Sequence, residues 1–248
     1  MIEFQELAKR YGDFQAVQPL SLRVGRGEVF GFLGPNGAGK TTTIRMMMGI
    51  LVPSAGTVRI DGLDCQSDAV EVKRRVGYLP DNPVFYDYLR GREILQFVGE
   101  MHGYPRAEAA ARSARLLCEF GLEDATEEFA VNYSMGMKKK LGLACAMIHD
   151  PAVLILDEPI NGLDPRAARD VQQRLLRIAA QGSTIFVSTH LLDMAERLCD
   201  RVGIIHHGAL AATGTLEQIR NELHADGSLE ELFLQITDEG AQPAQAQA

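Results

Sequence analysis

One octapeptide constrains this chain more than any other stretch: Gly34-Pro35-Asn36-Gly37-Ala38-Gly39-Lys40-Thr41, which fits the pattern G-x-x-x-x-G-K-[ST]. The apolar run Val29-Phe30-Gly31-Phe32-Leu33 precedes it and reads as a buried strand. Residues 42–48 follow it and read as a helix. Glycines let successive backbone N–H groups turn inward around phosphate oxygens, where side chains would block the approach. The start of the following helix adds partial positive charge. In this pattern Lys40 is placed for β- and γ-phosphates and the Thr41 hydroxyl for Mg²⁺. The nucleotide-binding candidates are therefore Gly34, Pro35, Asn36, Gly37, Ala38, Gly39, Lys40, Thr41 and Thr42.

A strand, a loop and a helix need a larger body, and 248 residues suffice for one large domain or one with a subdomain. No apolar run approaches the ~20 residues of a membrane helix. The start, Met1-Ile2-Glu3-Phe4, has neither a basic region nor an apolar segment, so a cytoplasmic protein is expected. Cys65, Cys118, Cys145 and Cys199 are scattered without metal-type spacing and read as reduced, mostly buried thiols. The formal net charge is −8, and from Asp226 onward there are five acids without a Lys or Arg. A duplex-binding domain would be strongly basic, so no nucleic-acid partner is expected.

Residues 2–24 alternate apolar and polar positions around a turn at Gly12-Asp13, and Tyr11 is assigned to that turn. Short strands are expected at 57–60 and 76–79, the second stopped by Pro80. Between Asp81 and Tyr133 apolar residues recur at helical spacing, among them Ile94, Leu95, Val98, Leu116, Leu117 and Phe120. The segment 82–132 is read as a helical insert. A helix is expected over 138–148, with Lys138-Lys139-Lys140 as its solvated face. Strands at 153–156 and 184–188, helices at 166–180 and 191–199, and a hairpin across 202–213 complete the pattern. Residues 238–248, rich in Ala and Gln, are expected to be a disordered tail.

Asp157-Glu158 ends the apolar run 153–156. A carboxylate there suits Mg²⁺, held through its water shell. Its neighbour Glu158 is placed to orient or deprotonate an attacking water. His190, just after the strand 184–188, is placed to reach the γ-phosphate from the end of that strand.

These motifs together resemble the ATP-binding subunit of ABC transporters, over about residues 3–237. Gly34 to Thr41 is similar to the family's Walker A, and 153–158 to its Walker B with a catalytic glutamate. Asn161-Gly162-Leu163-Asp164 is similar to the D-loop, and His190 to the switch histidine. Tyr11 matches the aromatic that stacks on adenine. Ser134 and Gly136 match the serine and second glycine of the signature, which here reads Tyr133-Ser134-Met135-Gly136-Met137 in place of L-S-G-G-Q. Asp81 stands where the family carries a glutamine that reaches toward Mg²⁺ and water. Both departures resemble an exporter branch encoded apart from its membrane subunits.

The resemblance implies an α/β fold: a P-loop NTPase core with a mainly parallel sheet, an N-terminal antiparallel β subdomain and the helical insert. It implies one ATPase domain over 1–237. It further implies ATP and Mg²⁺ as ligands, with Lys40, Glu158 and His190 catalytic, and Thr41, Asp157 and Asp81 at the metal. The implied partners are a second copy, whose ATP Ser134 and Gly136 would cap, and a membrane-embedded subunit at the cytoplasmic face of the cell membrane. A single-unit soluble ATPase acting in cofactor or macromolecular assembly is the alternative.

Overall fold

A computed structural model describes residues 1–222 and 228–239. The chain gathers into two compact units, one of Met1–Ala69 with the chain from Phe186 on, the other of Val70–Ile185.

The first unit opens with β1 (Ile2–Tyr11) and β2 (Phe14–Val24), an antiparallel pair turned at Gly12, whose φ of 56° suits glycine. Tyr11 is the last residue of β1 and not part of the turn. β3 (Val29–Leu33) is buried at all five positions, as a run without polar alternation requires. α1 (Lys40–Met47) begins at the motif lysine, two residues before the expected start. β4 (Ala55–Ile60) pairs with β1, and β5 (Leu63–Asp64) pairs with β4, giving an antiparallel sheet in the order β2-β1-β4-β5.

α2 (Ala69–Arg75) leads into the second unit, where β6 (Val76–Leu79) follows it directly. α3 (Gly91–Met101) and α4 (Arg106–Glu119) fill the expected helical insert. They approach closely: a Cβ on Gly99 would stand 3.0 Å from that of Ala109. α5 (Met135–Met147) starts three residues before the expected position, because Ser134 caps it by accepting the Met137 N–H. β7 (Val153–Asp157) is wholly buried and pairs in parallel with β6. α6 (Pro165–Ala180) is capped by Asp164, which accepts from the Arg166 and Ala167 N–H groups. β8 (Thr184–Thr189) crosses the border between the units.

The remainder returns to the first unit as α7 (Leu192–Leu198), β9 (Arg201–His206), β10 (Ala209–Gly214), α8 (Leu216–Glu222) and α9 (Leu229–Glu239). β3 and β9 are parallel, and β9 and β10 form the expected hairpin. Phe186 centres one part of this core, with the rings of Phe4, Phe30 and Phe32 at 6.1, 5.7 and 5.5 Å. Leu33, Val202, Ile204, Ile219, Leu229 and Leu232 form another. α9 extends to Glu239, so residues 238 and 239 of the expected tail are helical, while 240–248 lie outside the described residues.

Candidate nucleotide site

The loop between β3 and α1 is shaped by three glycines. Gly37 and Gly39 take φ of 82° and 108°, a backbone region closed to most side chains. A Cβ on Gly39 would also stand 2.7 Å from the Ala16 carbonyl oxygen, and one on Gly34 would collide with the Ile205 carbonyl. The loop closes on itself through Ala38 N–H to the Pro35 carbonyl at 3.2 Å. Gly208 N–H donates to the Ala38 carbonyl at 3.1 Å, so the β9–β10 turn braces the loop. Asn36 and Gly37 are exposed at its tip.

Lys40 is only 6% exposed, and its ammonium donates to the Gly34 carbonyl at 2.7 Å and the Pro35 carbonyl at 3.1 Å. It is thus folded over the loop that its own strand leads into. Thr41 is exposed and Thr42 half-buried in the first turn of α1, which carries no acid. Cation-favouring charge is therefore absent from that turn, and the dipole of α1 favours an anion at this end. In the same unit Tyr11 is 48% exposed, with the Lys9 ammonium 5.1 Å from its ring centre. His190 is exposed just past β8, beside Leu191, whose N–H donates to Thr189 Oγ1.

The second unit holds the other candidates. Asp157 is 1% exposed at the end of β7, and Glu158 is 7% exposed. Glu158 has φ of 49°, in the left-handed region that non-glycine residues seldom adopt. Its carbonyl accepts from the Asn161 N–H at 3.3 Å, closing the turn that begins the D-loop-like segment. Ser134 is exposed at the start of α5, and Gly136 is half-buried, with Leu163 3.5 Å from where a Cβ would lie. Met135 packs on Gly162. The signature-like and D-loop-like segments are therefore neighbours within one unit.

The lysine run corrects the sequence reading. Lys139 is not on a solvated face: it is 1% exposed. Its ammonium faces Asp81 Oδ1 at 3.4 Å and donates to the Glu158 carbonyl. Burial pushes its pKa below the ordinary lysine value, and the Asp81 carboxylate opposes that shift. Asp81, expected at the metal, has Lys139 on one oxygen and accepts from Asn82 Nδ2 at 3.3 Å on the other. The overlooked signal is spacing: Lys139, Gly142, Leu143 and Ala146 recur at i, i+3, i+4 and i+7, and all four are buried.

Thr41 and Asp157 offer hydroxyl and carboxylate oxygen, the hard donors that Mg²⁺ prefers. Among the described residues no three His, Cys, Asp or Glu side chains gather into a metal-binding group. None of the described helices is long and apolar enough to cross a membrane. The thiols of Cys65, Cys145 and Cys199 are pushed up to about 12 by burial, which leaves them unreactive, whereas Cys118 is exposed.

An apolar patch marks the surface of the second unit. Val84, Tyr86 and Tyr88 are 91%, 69% and 80% exposed. They are joined by Phe129, which meets Tyr88 edge-on at 6.5 Å, and by Val131, whose N–H donates to the Asp87 carbonyl.

Comparison with known proteins places these features in context. A family described as ABC transporter matches residues 17–161. The Probable multidrug ABC transporter ATP-binding protein YbhF of Escherichia coli is 35% identical over 240 residues, which cover 95% of this chain and 41% of that protein. The chain thus spans well under half of that relative's length. The daunorubicin resistance ATP-binding protein DrrA3 of Streptomyces coeruleorubidus is 39% identical over 218 residues, 88% of this chain and 69% of the relative. A solved structure described as the ATP binding subunit of an ABC transporter superimposes with a TM-score of 0.89 at 35% identity, covering 95% of this chain and 99% of that one.

Proposed function

The chain belongs to the ABC transporter family, and from that premise we propose that it binds and hydrolyses ATP to drive an exporter whose membrane subunit is a separate chain. The observation that carries this is the glycine loop with Lys40 folded over its carbonyls, ahead of a helix without a first-turn acid. Phosphate oxygens entering the loop exchange those carbonyls for stronger, charge-assisted partners of Lys40. Tyr11 offers its exposed ring to adenine.

Thr41 and Asp157 are the residues that would hold Mg²⁺, which when bound neutralises charge on the β- and γ-phosphates. Glu158 takes the proton of the attacking water as general base. His190 donates to the γ-phosphate. Ser134 and Gly136, exposed and half-exposed at the start of α5, cap the ATP of a second copy, so closure of two copies completes each site.

The apolar patch around Tyr88 supports a protein partner, because exposed rings gathered in one place mark interaction surfaces. We assign that partner as the membrane subunit, which puts the protein on the cytoplasmic face of the membrane.

Two measurements test the proposal. Purified protein should release phosphate from ATP with Mg²⁺ and stop when the metal is chelated. Extraction from membranes in mild detergent should bring down an integral membrane protein. Recovery of soluble partners alone would favour the assembly-ATPase alternative.

A further inference from the structure

We infer that Lys139 is a positioning residue for Glu158, acting through the Glu158 carbonyl, with Asp81 as its counter-ion. The inference deepens the proposed function, since it rests on Glu158 as the general base.

A buried lysine is costly, and methionine would fill the same volume without that cost. Lys139 is 1% exposed, so its charge serves its polar contacts and not its packing. Those contacts are the Asp81 carboxylate at 3.4 Å and the Glu158 main-chain oxygen. The second contact matters for geometry. On its N-terminal side Glu158 continues directly from β7, a strand buried at every position and paired to β6. On its C-terminal side its carbonyl is held by Lys139 and by the Asn161 N–H. With both flanking peptide planes fixed, the Cα–Cβ bond has one direction and the carboxylate one arc to sweep.

The φ of 49° at Glu158 makes this restraint necessary. Left alone, an L-residue leaves that region for the broad β or right-handed basin. Such a flip would swing the carboxylate by several ångströms, whereas a displacement of about 1 Å already costs about a hundredfold in rate.

Asp81 then has a physical reason for standing where the family carries a neutral glutamine. A buried ammonium five residues along α5 from Ser134 requires negative charge, and Asp81, just beyond the end of β6, supplies the largest share, with Glu158 and Asp157 adding to it. Its side chain is 39% exposed, so water reaches the pair from one side only, and Lys139 itself stays dry.

The test uses the full chain with Mg²⁺ and varied ATP. K139M keeps the volume and loses the donor; K139Q keeps an N–H donor; D81N removes the counter-ion. In K139M kcat should fall by about ten- to a hundredfold while half-saturating ATP stays within about twofold. K139Q should recover part of that loss, and thermal melting reports that each variant is folded. Should K139M not fold, K139Q and D81N carry the test by the same split.

D81N should lower kcat several-fold in the parent and by less than about twofold in K139Q, because its action runs through the lysine. Parental kcat in folded K139M or K139Q overturns the inference. So does a rise in half-saturating ATP that matches the fall in kcat, or an equal cost of D81N in both backgrounds. E158Q is the control for the reading beneath it. An inactive E158Q beside a fully active K139M removes Lys139 alone; a fully active E158Q removes Glu158 as the base, and this inference with it.

Discussion

Two lysines lie buried near the starts of two helices, Lys40 in α1 and Lys139 in α5, at 6% and 1% exposure. Both point their ammonium groups at main-chain carbonyls, yet they differ in where those carbonyls come from. The Gly34 and Pro35 carbonyls lie six and five residues before Lys40. The partners of Lys139 lie 58 residues before it, at Asp81, and 19 after it, at Glu158. The first lysine is held by its own loop and can exchange carbonyls for phosphate. The second is locked between segments that only the fold brings together. One should therefore serve binding of the substrate and the other the geometry of the chemistry.

The strongest test of this division is Glu158→Gln. The amide keeps the size and loses the basic oxygen, so turnover should fall by about 10²–10⁴-fold with ATP still bound. A sizing column run with ATP should then show a persistent dimer. Lys40→Ala comes next. It removes the charge that the proposed site offers to the phosphates, and turnover should fall by about 10²–10³-fold together with nucleotide binding. Equal loss of ATP binding in both variants would erase the contrast between substrate-holding and chemistry-holding groups.

Tyr11→Ala probes the binding side alone. Stacking on a base is worth about 1–3 kcal/mol, so half-saturating ATP should rise by about 5- to 150-fold with saturating turnover little changed. If titration of ATP finds the same affinity in both proteins, the base stacks elsewhere.

The far ends of the same two helices extend the comparison. The last turn of α1 carries the permanently charged Arg45, whereas just past the end of α5 lies the titratable His149, stacked flat on His102 at 3.7 Å and 8°. Burial holds the His149 pKa down at about 4; the nearby His102 lowers it further and Asp150 opposes. The folded chain thus binds this proton less readily than the unfolded chain, whose histidine titrates near 6.5. Its contribution is full above pH 6.5 and is lost as pH falls toward 4. Partial exposure screens the effect to on the order of 1 kcal/mol, or about 2–4 °C in melting temperature. His149→Phe keeps a flat ring on His102, and its melting temperature should fall less than the parent's between pH 6.5 and 4. Parallel curves for the two proteins would place the acid sensitivity in other groups.

The same contrast explains what was legible in the sequence. The strand, loop and helix from Val29 to Met47 follow from residues adjacent in the chain: glycines with positive φ, a buried apolar run and a lysine a few positions on. The Asp157-Glu158 pair was legible because β7 is apolar at every position before it. Lys139 was obscured by two flanking lysines that suggested one solvated face. The start of α5 lies three residues before the expected 138 because the Ser134 hydroxyl caps the helix, a role that apolar spacing does not mark. What pairs with Asp81 depended on a contact 58 residues away, which no local pattern contains.

The smallest expected effect makes the sharpest control for Lys139. Lys138 is its neighbour in the same triple-lysine run, about 100° around α5, since the helix turns once in 3.6 residues. It is half-exposed, and its side chain makes no hydrogen bond or ion pair among the described residues. Lys138→Ala should therefore change unfolding free energy by no more than about 0.5 kcal/mol, and turnover by less than about twofold. If the run acts as a unit that attracts nucleotide from solution, this variant should instead raise half-saturating ATP. The rise would shrink as salt is added, because exposed charges are screened within about 10 Å at 0.1 M. Measuring Lys138→Ala beside Lys139→Met at low and high salt separates the two ideas. A salt-insensitive loss confined to Lys139→Met means that a buried contact acts; equal, salt-sensitive losses in both mean that the surface field does.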